Sequence, residues 1–76
     1  MKYNEAISLI TTEYCSATKK FGPFASAHEG YAIILEELDE LWEVIKNKQK
    51  SITELEKEAV QVAAMAVRFL VDMIDW

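Results

Sequence analysis

The chain has 76 residues, of which 51% are hydrophobic, and a formal net charge of −5 at pH 7. This length fits one domain, and the hydrophobic content excludes a disordered chain. Two Gly and one Pro are too few for the many tight turns of an all-β protein. The acidic balance argues against binding to a nucleic acid, because the phosphate backbone requires a basic surface.

So short a chain buries only about 60% of its unfolded surface, which makes a single core marginal. Cys15 is the only cysteine and therefore cannot form an internal disulfide. We expect oligomerisation or a bound ion to supply the missing stability. The free thiol and the lack of an apolar stretch at residues 1–5 indicate a cytoplasmic protein.

The first predicted helix covers residues 3–19. Its apolar side chains recur at helical spacing and form one stripe: Tyr3, Ala6, Ile7, Ile10, Tyr14 and Ala17. Lys19 and Lys20 suit the negative end of the helix dipole. Gly22 and Pro23 then break the helix.

The second predicted helix covers residues 27–46 and begins with a capping box formed by Ser26 and Glu29. Seven apolar side chains share one face: Tyr31, Ile34, Leu35, Leu38, Leu41, Trp42 and Ile45. We expect this face, with Tyr31 and Trp42, to form the core. Most acidic residues gather on the opposite side, but Glu37 lies at the edge of the apolar face.

The third predicted helix covers residues 52–75, after a polar turn at residues 47–50. Ser51 or Thr53 can cap it, and Ser51 with Glu54 spells a second capping box. Apolar side chains cover about two thirds of its circumference, so it needs neighbours on two or more sides. The sequence therefore predicts an all-α fold.

We expect a single domain over residues 1–76, a small antiparallel bundle of three helices completed by oligomerisation into a homodimer or homotetramer. Gln61, Arg68 and Asp72 interrupt the apolar run of the third helix, which argues against a membrane span.

Carboxylates on the second and third helices predict a metal site. Glu37 and Glu40 are three residues apart, so both side chains lie on one side of a helix. Glu58 and Gln61 form a matching pair on the next helix. Four oxygen ligands from two facing helices suit Mg²⁺ or Mn²⁺. The alternative is a solvated acidic face, which is the usual role of acidic runs.

These motifs resemble those of the MazG-like all-α nucleoside triphosphate pyrophosphatases. That family has an E-x-x-E motif, a spacer and an E-x-x-D motif on adjacent helices. Here Glu37 and Glu40 match the first motif, and Glu58 follows Glu40 by eighteen residues and matches the start of the second. The closing aspartate falls on Gln61, a departure from the family pattern. The resemblance covers about residues 26–73 and includes the runs HEGYA and QVAAMAVRF.

The resemblance implies hydrolysis of a nucleoside triphosphate to a monophosphate and pyrophosphate, with Mg²⁺ bound by the four matched residues. Glu37 or Glu40 would orient or deprotonate the attacking water. Arg68, Lys19 and Lys20 are candidates for binding phosphate, although an ion pair with Asp72 one turn away is an equal alternative for Arg68. A second hypothesis is a non-catalytic helical module that binds a nucleotide or another protein.

Four other residues attract less specific interpretations. His28 is the only histidine and could be a base, but we favour a role at the start of the second helix. Cys15 is expected to be a packing residue. Phe21 and Phe24, in the loop, are either stacking partners for a base or plugs of the core.

Overall fold

The computed structural model describes residues 1–47, 49 and 51–74. Three helices follow one another: α1 (Tyr3–Lys20), α2 (Ala27–Lys46) and α3 (Ile52–Phe69), which continues as a π-helical turn over Leu70–Ile74. The predicted all-α three-helix bundle is confirmed. The predicted end of the third helix at position 75, and positions 48 and 50 of the predicted polar turn, lie outside the described residues.

The two predicted capping motifs begin α2 and α3. Ser26 Oγ accepts a hydrogen bond of 3.1 Å from the Glu29 amide, and Glu29 Oε1 accepts one of 2.9 Å from the Ala25 amide. Ser51 Oγ likewise accepts from the Glu54 amide at 3.3 Å. Each bond satisfies an amide that has no partner within its helix. The helix starts were predictable because these caps are local.

Helix α3 lies between the other two and packs against both, whereas α1 and α2 barely touch each other. The buried apolar side chains come from α1, α3 and the loop after α1: Ala17, Phe24, Ala64 and Met65. Partly buried side chains of α2, α3 and the π-helical turn pack on them: Ile33, Ile34, Phe69 and Met73. Helix α3 thus finds neighbours on two sides within one chain, which accounts for much of its wide apolar arc.

The predicted core face of α2 is wrong for five of its seven side chains, since only Ile34 packs on the core and Leu41 is partly buried. Tyr31 is 64% exposed and Trp42 is 55% exposed, and the other side chains of their stripe are also in contact with water. The apolar arc of α2 is wide, and α3 covers only one side of it. The covered side carries Gly30, Ile33 and Glu37, so the carboxylate expected at the edge faces the neighbouring helix.

Gly30 is buried where α2 packs against α3 and the loop after α1. A Cβ at this position would lie 2.7 Å from Phe69 Cδ2 and 3.0 Å from Phe24 Cδ2. These distances are too short for carbon atoms, so both phenyl rings pack where a side chain would otherwise stand. The glycine costs helix propensity but allows two aromatic rings into the core.

Helix α1 contacts α3 through part of its predicted stripe. Ala17 is buried, and Ala6, Ile10 and Tyr14 are partly buried. Cys15 is exposed, so its predicted packing role is wrong. It lies about 200° around the helix from Ala17 and therefore faces water. Within the described residues, none of the helices has the length and apolar character needed to cross a membrane.

Candidate metal centre and adjoining arginine site

Three carboxylates from two helices converge in one place. Glu37 and Glu40 lie one turn apart on α2, and Glu58 comes from α3. One oxygen of each lies within 4.8 Å of an oxygen of the other two. We call these three residues the carboxylate cluster. The sequence predicted this meeting from helix spacing and an antiparallel α2–α3 pair, and the structure brings the three side chains together.

The carboxylate cluster raises the pKa values of its own members. Burial is the main cause for Glu37, followed by the negative charges of Glu40, Glu58 and Glu36, and together they raise its pKa to about 7 from the ordinary 4.5. Burial and Glu40 also raise the pKa of Glu58. Without a counter-charge, close carboxylates favour retention of a proton.

Glu58 adds an independent sign of an unmet interaction. Its Oε2 atom is buried and has no hydrogen-bond partner in the described part of the chain. A buried acceptor without a partner is costly, and a bound cation is one way to satisfy it. The carboxylate oxygens are the ligands that Mg²⁺ and Mn²⁺ prefer.

The size of the cluster is close to that of a metal site. Oxygens bound to one Mg²⁺ lie at about 2.1 Å from it and hence at most about 4.2 Å apart. The observed limit of 4.8 Å requires only a small adjustment of flexible glutamate side chains. Gln61, one turn after Glu58, is partly buried, and its place in the metal site stays a prediction.

Arg68 forms a second unusual region near the end of α3. Its side chain is only 4% exposed. Nη2 donates a hydrogen bond of 2.9 Å to the Gly22 carbonyl, and Nη1 lies 3.4 Å from Met65 Sδ. The guanidinium carbon stands 4.3 Å from the centre of the Phe24 ring. The Nε atom is buried and finds no hydrogen-bond partner in residues 1–47, 49 and 51–74.

Arg68 is not neutralised by an acid among the residues that the structure describes. The alternative of an ion pair with Asp72 is wrong, because no such pair forms and Asp72 Oδ2 accepts a hydrogen bond of 3.0 Å from the Phe24 amide. Arg68 and Asp72 thus both hold the loop after α1. A buried cation without a counter-ion is unfavourable unless something else supplies negative charge.

A cavity of about 480 Å³ opens beside Arg68 and is also lined by Lys20, Phe21, Phe24 and Glu29. The structure therefore brings together two of the three predicted phosphate-binding residues, while Lys19 lines a different surface depression. Of the two phenylalanines, Phe24 is buried in the core and Phe21 is 61% exposed.

The two regions are separate. Arg68 follows Glu58 by ten residues on the same helix, a distance of about 15 Å along the axis. His28 is exposed in the first turn of α2, in keeping with the expectation of a role at the helix start.

Sequence reasoning missed the contacts of the loop after α1. The Arg68 bond to Gly22 and the Asp72 bond to Phe24 join positions 46 and 48 residues apart. The only signal was that two charged residues interrupt a largely apolar helix, and such residues need partners if buried. The sequence did not show that loop backbone groups supply them.

Comparison of the chain with protein-family models, with curated proteins and with solved structures finds no match. The resemblance to the MazG-like family therefore rests on the motifs in this sequence. The carboxylate cluster and the Arg68 cavity are the geometric facts from which a function is proposed.

Proposed function

We propose that this protein is a Mg²⁺-dependent nucleoside triphosphate pyrophosphohydrolase, which releases pyrophosphate and a nucleoside monophosphate. The observation that carries the proposal is the carboxylate cluster, in which Glu37, Glu40 and Glu58 approach within 4.8 Å. Its members occupy the positions where the MazG-like motifs place metal ligands, and Mn²⁺ is an alternative cation.

Each residue of the carboxylate cluster has a proposed role. Glu37, Glu40 and Glu58 hold the cation, with Gln61 as a neutral fourth ligand. A bound divalent cation would supply charge neutralisation to the phosphate oxygens. Glu37 or Glu40 would orient the attacking water or accept its proton.

Arg68 and Lys20 are proposed to bind the anionic part of the substrate. The support is the buried, uncompensated guanidinium beside a cavity, because charge-assisted hydrogen bonds to phosphate are among the strongest available to arginine. Since Arg68 lies about 15 Å from Glu58 along α3, it would contact a different part of the ligand from the part held at the carboxylate cluster. Lys19 remains a candidate only from a second subunit.

The proposed setting is the cytoplasm, where the enzyme would remove unwanted nucleotides as a homodimer or homotetramer. The second candidate function is a non-catalytic module of the same fold that binds a nucleotide or another protein. One observation favours it: Gln61 stands where the motif has an aspartate, and an amide brings no charge to a cation site.

A panel of nucleoside triphosphates with Mg²⁺ or Mn²⁺, assayed for released pyrophosphate, tests the enzymatic proposal. We expect release from at least one nucleotide, its loss on chelation, and a fall of at least about 100-fold in Glu40→Gln, the scale of lost acid–base catalysis. Glu36→Gln is the matched control, since Glu36 is exposed on the same helix. No release from any nucleotide would sink the enzymatic proposal.

Calorimetry then tests the second function. Heat of binding for a nucleotide with Mg²⁺, without turnover, supports the module. An absence of both binding and turnover contradicts the enzymatic proposal and a nucleotide-binding module, and leaves a module that binds another protein.

A further inference from the structure

The guanidinium of Arg68 is covered by the loop after α1. The side chain is only 4% exposed, and the rings of Phe24 and Phe21 lie 4.3 Å and 6.0 Å from its guanidinium carbon. Nη2 donates a hydrogen bond of 2.9 Å to the Gly22 carbonyl. A phosphate group needs accessible N–H donors to form its strong charge-assisted hydrogen bonds. With the loop in this position, Arg68 therefore offers an anion almost no surface.

The outer part of the loop, residues 21–23, is held by few contacts. All three residues are exposed, and a Cβ at Gly22 would meet no atom within 4 Å. The Phe21 amide donates to the Ala17 carbonyl, which only continues α1. Among the hydrogen bonds of the described residues, the bond from Arg68 to Gly22 is the one that ties residues 21–23 to a distant part of the chain. We call residues 21–23 the Gly22 gate.

The inner part of the loop is held firmly. Phe24 is 4% exposed, and its amide donates to Asp72 Oδ2 at 3.0 Å. The Ala25 amide donates to Glu29 Oε1 at 2.9 Å, so the acid of this cavity is turned toward the loop backbone. Gly22 has no Cβ, and its backbone can therefore rotate more freely than that of other residues. The Gly22 gate can thus turn outward while Phe24 stays in the core.

We propose that the Gly22 gate closes over Arg68, and that a phosphate-type anion opens it by replacing the Gly22 carbonyl as the acceptor for the Arg68 N–H groups. This inference rests on the proposed anion-binding role of Arg68. It requires neither the cation at the carboxylate cluster nor turnover.

The exchange supplies what the closed gate does not give to the buried cation. In the part of the chain that the structure describes, Arg68 Nε has no hydrogen-bond partner, and Nη1 meets only the weak acceptor Met65 Sδ. A phosphate brings several charged oxygens in place of one neutral carbonyl. Lys20 lines the same cavity and adds a second positive charge. Because the anion binds only the open form, its affinity shifts the Gly22 gate toward that form.

NMR titration of the 8.7 kDa chain with inorganic pyrophosphate, in the presence of a chelator, tests the proposal without the metal site. We expect the Gly22 carbonyl and Arg68 Nε signals to shift together, with a midpoint below about 10 mM, as a few charged hydrogen bonds allow. The Phe24 amide should keep its protection from hydrogen exchange. A parallel titration with a nucleoside monophosphate shows whether a free or a nucleotide-borne phosphate binds at the lower concentration.

The outcomes separate this proposal from the enzymatic one. No shift with either anion would overturn the Gly22 gate together with the anion-binding role of Arg68. A shift of Arg68 Nε with an unchanged Gly22 carbonyl would overturn the gate alone. Since the chelator prevents metal-dependent turnover, a failure of the pyrophosphate-release assay has no bearing on either result.

Phe21→Ala distinguishes a gated site from a permanently open one. Loss of the ring removes part of the cover from Arg68 and weakens the closed form, so pyrophosphate should bind about 2- to 5-fold more tightly, the range of an exposed cation–π contact. Tyr3→Ala is the matched control, since Tyr3 is an aromatic residue of α1 that is 79% exposed. Unchanged or weaker binding by Phe21→Ala would overturn the gate.

Arg68→Gln tests the anion contact itself. It removes the charge but keeps an N–H donor for the Gly22 carbonyl, and we expect the pyrophosphate response to disappear. Lys57→Gln removes the same charge from an exposed position of α3 and should leave the response unchanged. Circular dichroism checks that both variants fold, and the wild-type signals locate the site even if Arg68→Gln does not. A response that persists in folded Arg68→Gln would overturn the proposal.

Discussion

The two ends of the α3 helix contrast in charge. In its first half, Glu58 joins Glu37 and Glu40 in a cluster that contains only acidic side chains. Near its end, Arg68 is buried and forms no ion pair with an acid among the described residues. If the two regions were in contact they would neutralise each other, but about 15 Å of helix separates them.

The fold thus keeps the negative charges of the carboxylate cluster apart from the positive charge of Arg68. The carboxylate cluster responds by holding a proton, since the pKa of Glu37 is raised to about 7. Arg68 cannot respond in that way, because a guanidinium stays charged, and it binds the Gly22 carbonyl and the Phe24 ring instead. The carboxylate cluster is therefore suited to a cation, and the Arg68 region is suited to an anion.

The largest predicted effect comes from a variant that disrupts the packing next to Arg68. In Gly30→Ala the added Cβ would collide with Phe69 and Phe24, and we expect a net loss of about 2 kcal/mol after the gain in helix propensity. The measurement is chemical denaturation followed by circular dichroism. Because Phe24 supports the guanidinium, the Arg68 region should loosen while the carboxylate cluster keeps its proton affinity.

Gly22→Ala is the control for this change. A Cβ at Gly22 meets no atom within 4 Å, and its φ angle is not positive, so the stability should change by less than about 0.5 kcal/mol. Equal losses in the two variants would contradict the packing role of Gly30.

The second prediction concerns the acidic end and has the opposite sign. Folded Glu37 keeps a proton up to a pH of about 7, whereas in the unfolded chain its pKa is the ordinary 4.5. The folded state therefore binds more protons in this window, and the free energy of unfolding of the metal-free protein falls as the pH rises from 4.5 to about 7. Glu37→Gln removes this penalty and should stabilise the metal-free protein at pH 8 by about 1–2 kcal/mol, a value reduced for solvent screening.

Denaturation curves between pH 4 and pH 8, with chelator or with Mg²⁺, make the measurement. Magnesium should raise the stability of the wild-type protein at pH 8 and raise that of Glu37→Gln much less. Glu36→Gln, at an exposed position of α2, should show a smaller effect. If the stability of the wild-type protein instead rose with pH across this window, ionised Glu37 would not destabilise the folded state.

The smallest predicted effect concerns Asp72, which together with Arg68 holds the loop after α1. Asp72→Asn keeps an oxygen that can accept from the Phe24 amide but removes its charge, so we expect a loss of about 1 kcal/mol. Thermal denaturation at pH 7 makes the measurement, with Asp39→Asn at an exposed site as control. A stabilised Asp72→Asn variant would mean that the charge serves something other than this hydrogen bond.

Local signals in the sequence predicted the helices well. Ser26 with Glu29 and Ser51 with Glu54 cap α2 and α3 because a cap involves residues only three apart. The meeting of Glu37, Glu40 and Glu58 was also predictable, because the i, i+3 spacing and a short connection between antiparallel helices restrict where the side chains can go.

Other features depended on which side of each helix found a neighbour. The apolar arc of α2 is wider than the strip that one helix can cover, so periodicity could not decide between the Ile33 side and the Trp42 side. The structure buries Ile33 partly and leaves Trp42 exposed. The partners of Arg68 were equally hidden, since Gly22 offers a backbone carbonyl that every residue possesses.

The sequence by itself therefore determined the number of helices, where each one starts, and the carboxylates that approach one another, because spacing and caps act within a few residues. Only the tertiary structure decided that α3 lies between α1 and α2, that Arg68 is buried without an ion pair among the described residues, and that the side of α2 with Tyr31 and Trp42 faces water. Those outcomes depend on how each helix is rotated about its axis against its neighbour. The apolar pattern does not decide this rotation when the apolar arc is wider than the strip that one neighbouring helix covers.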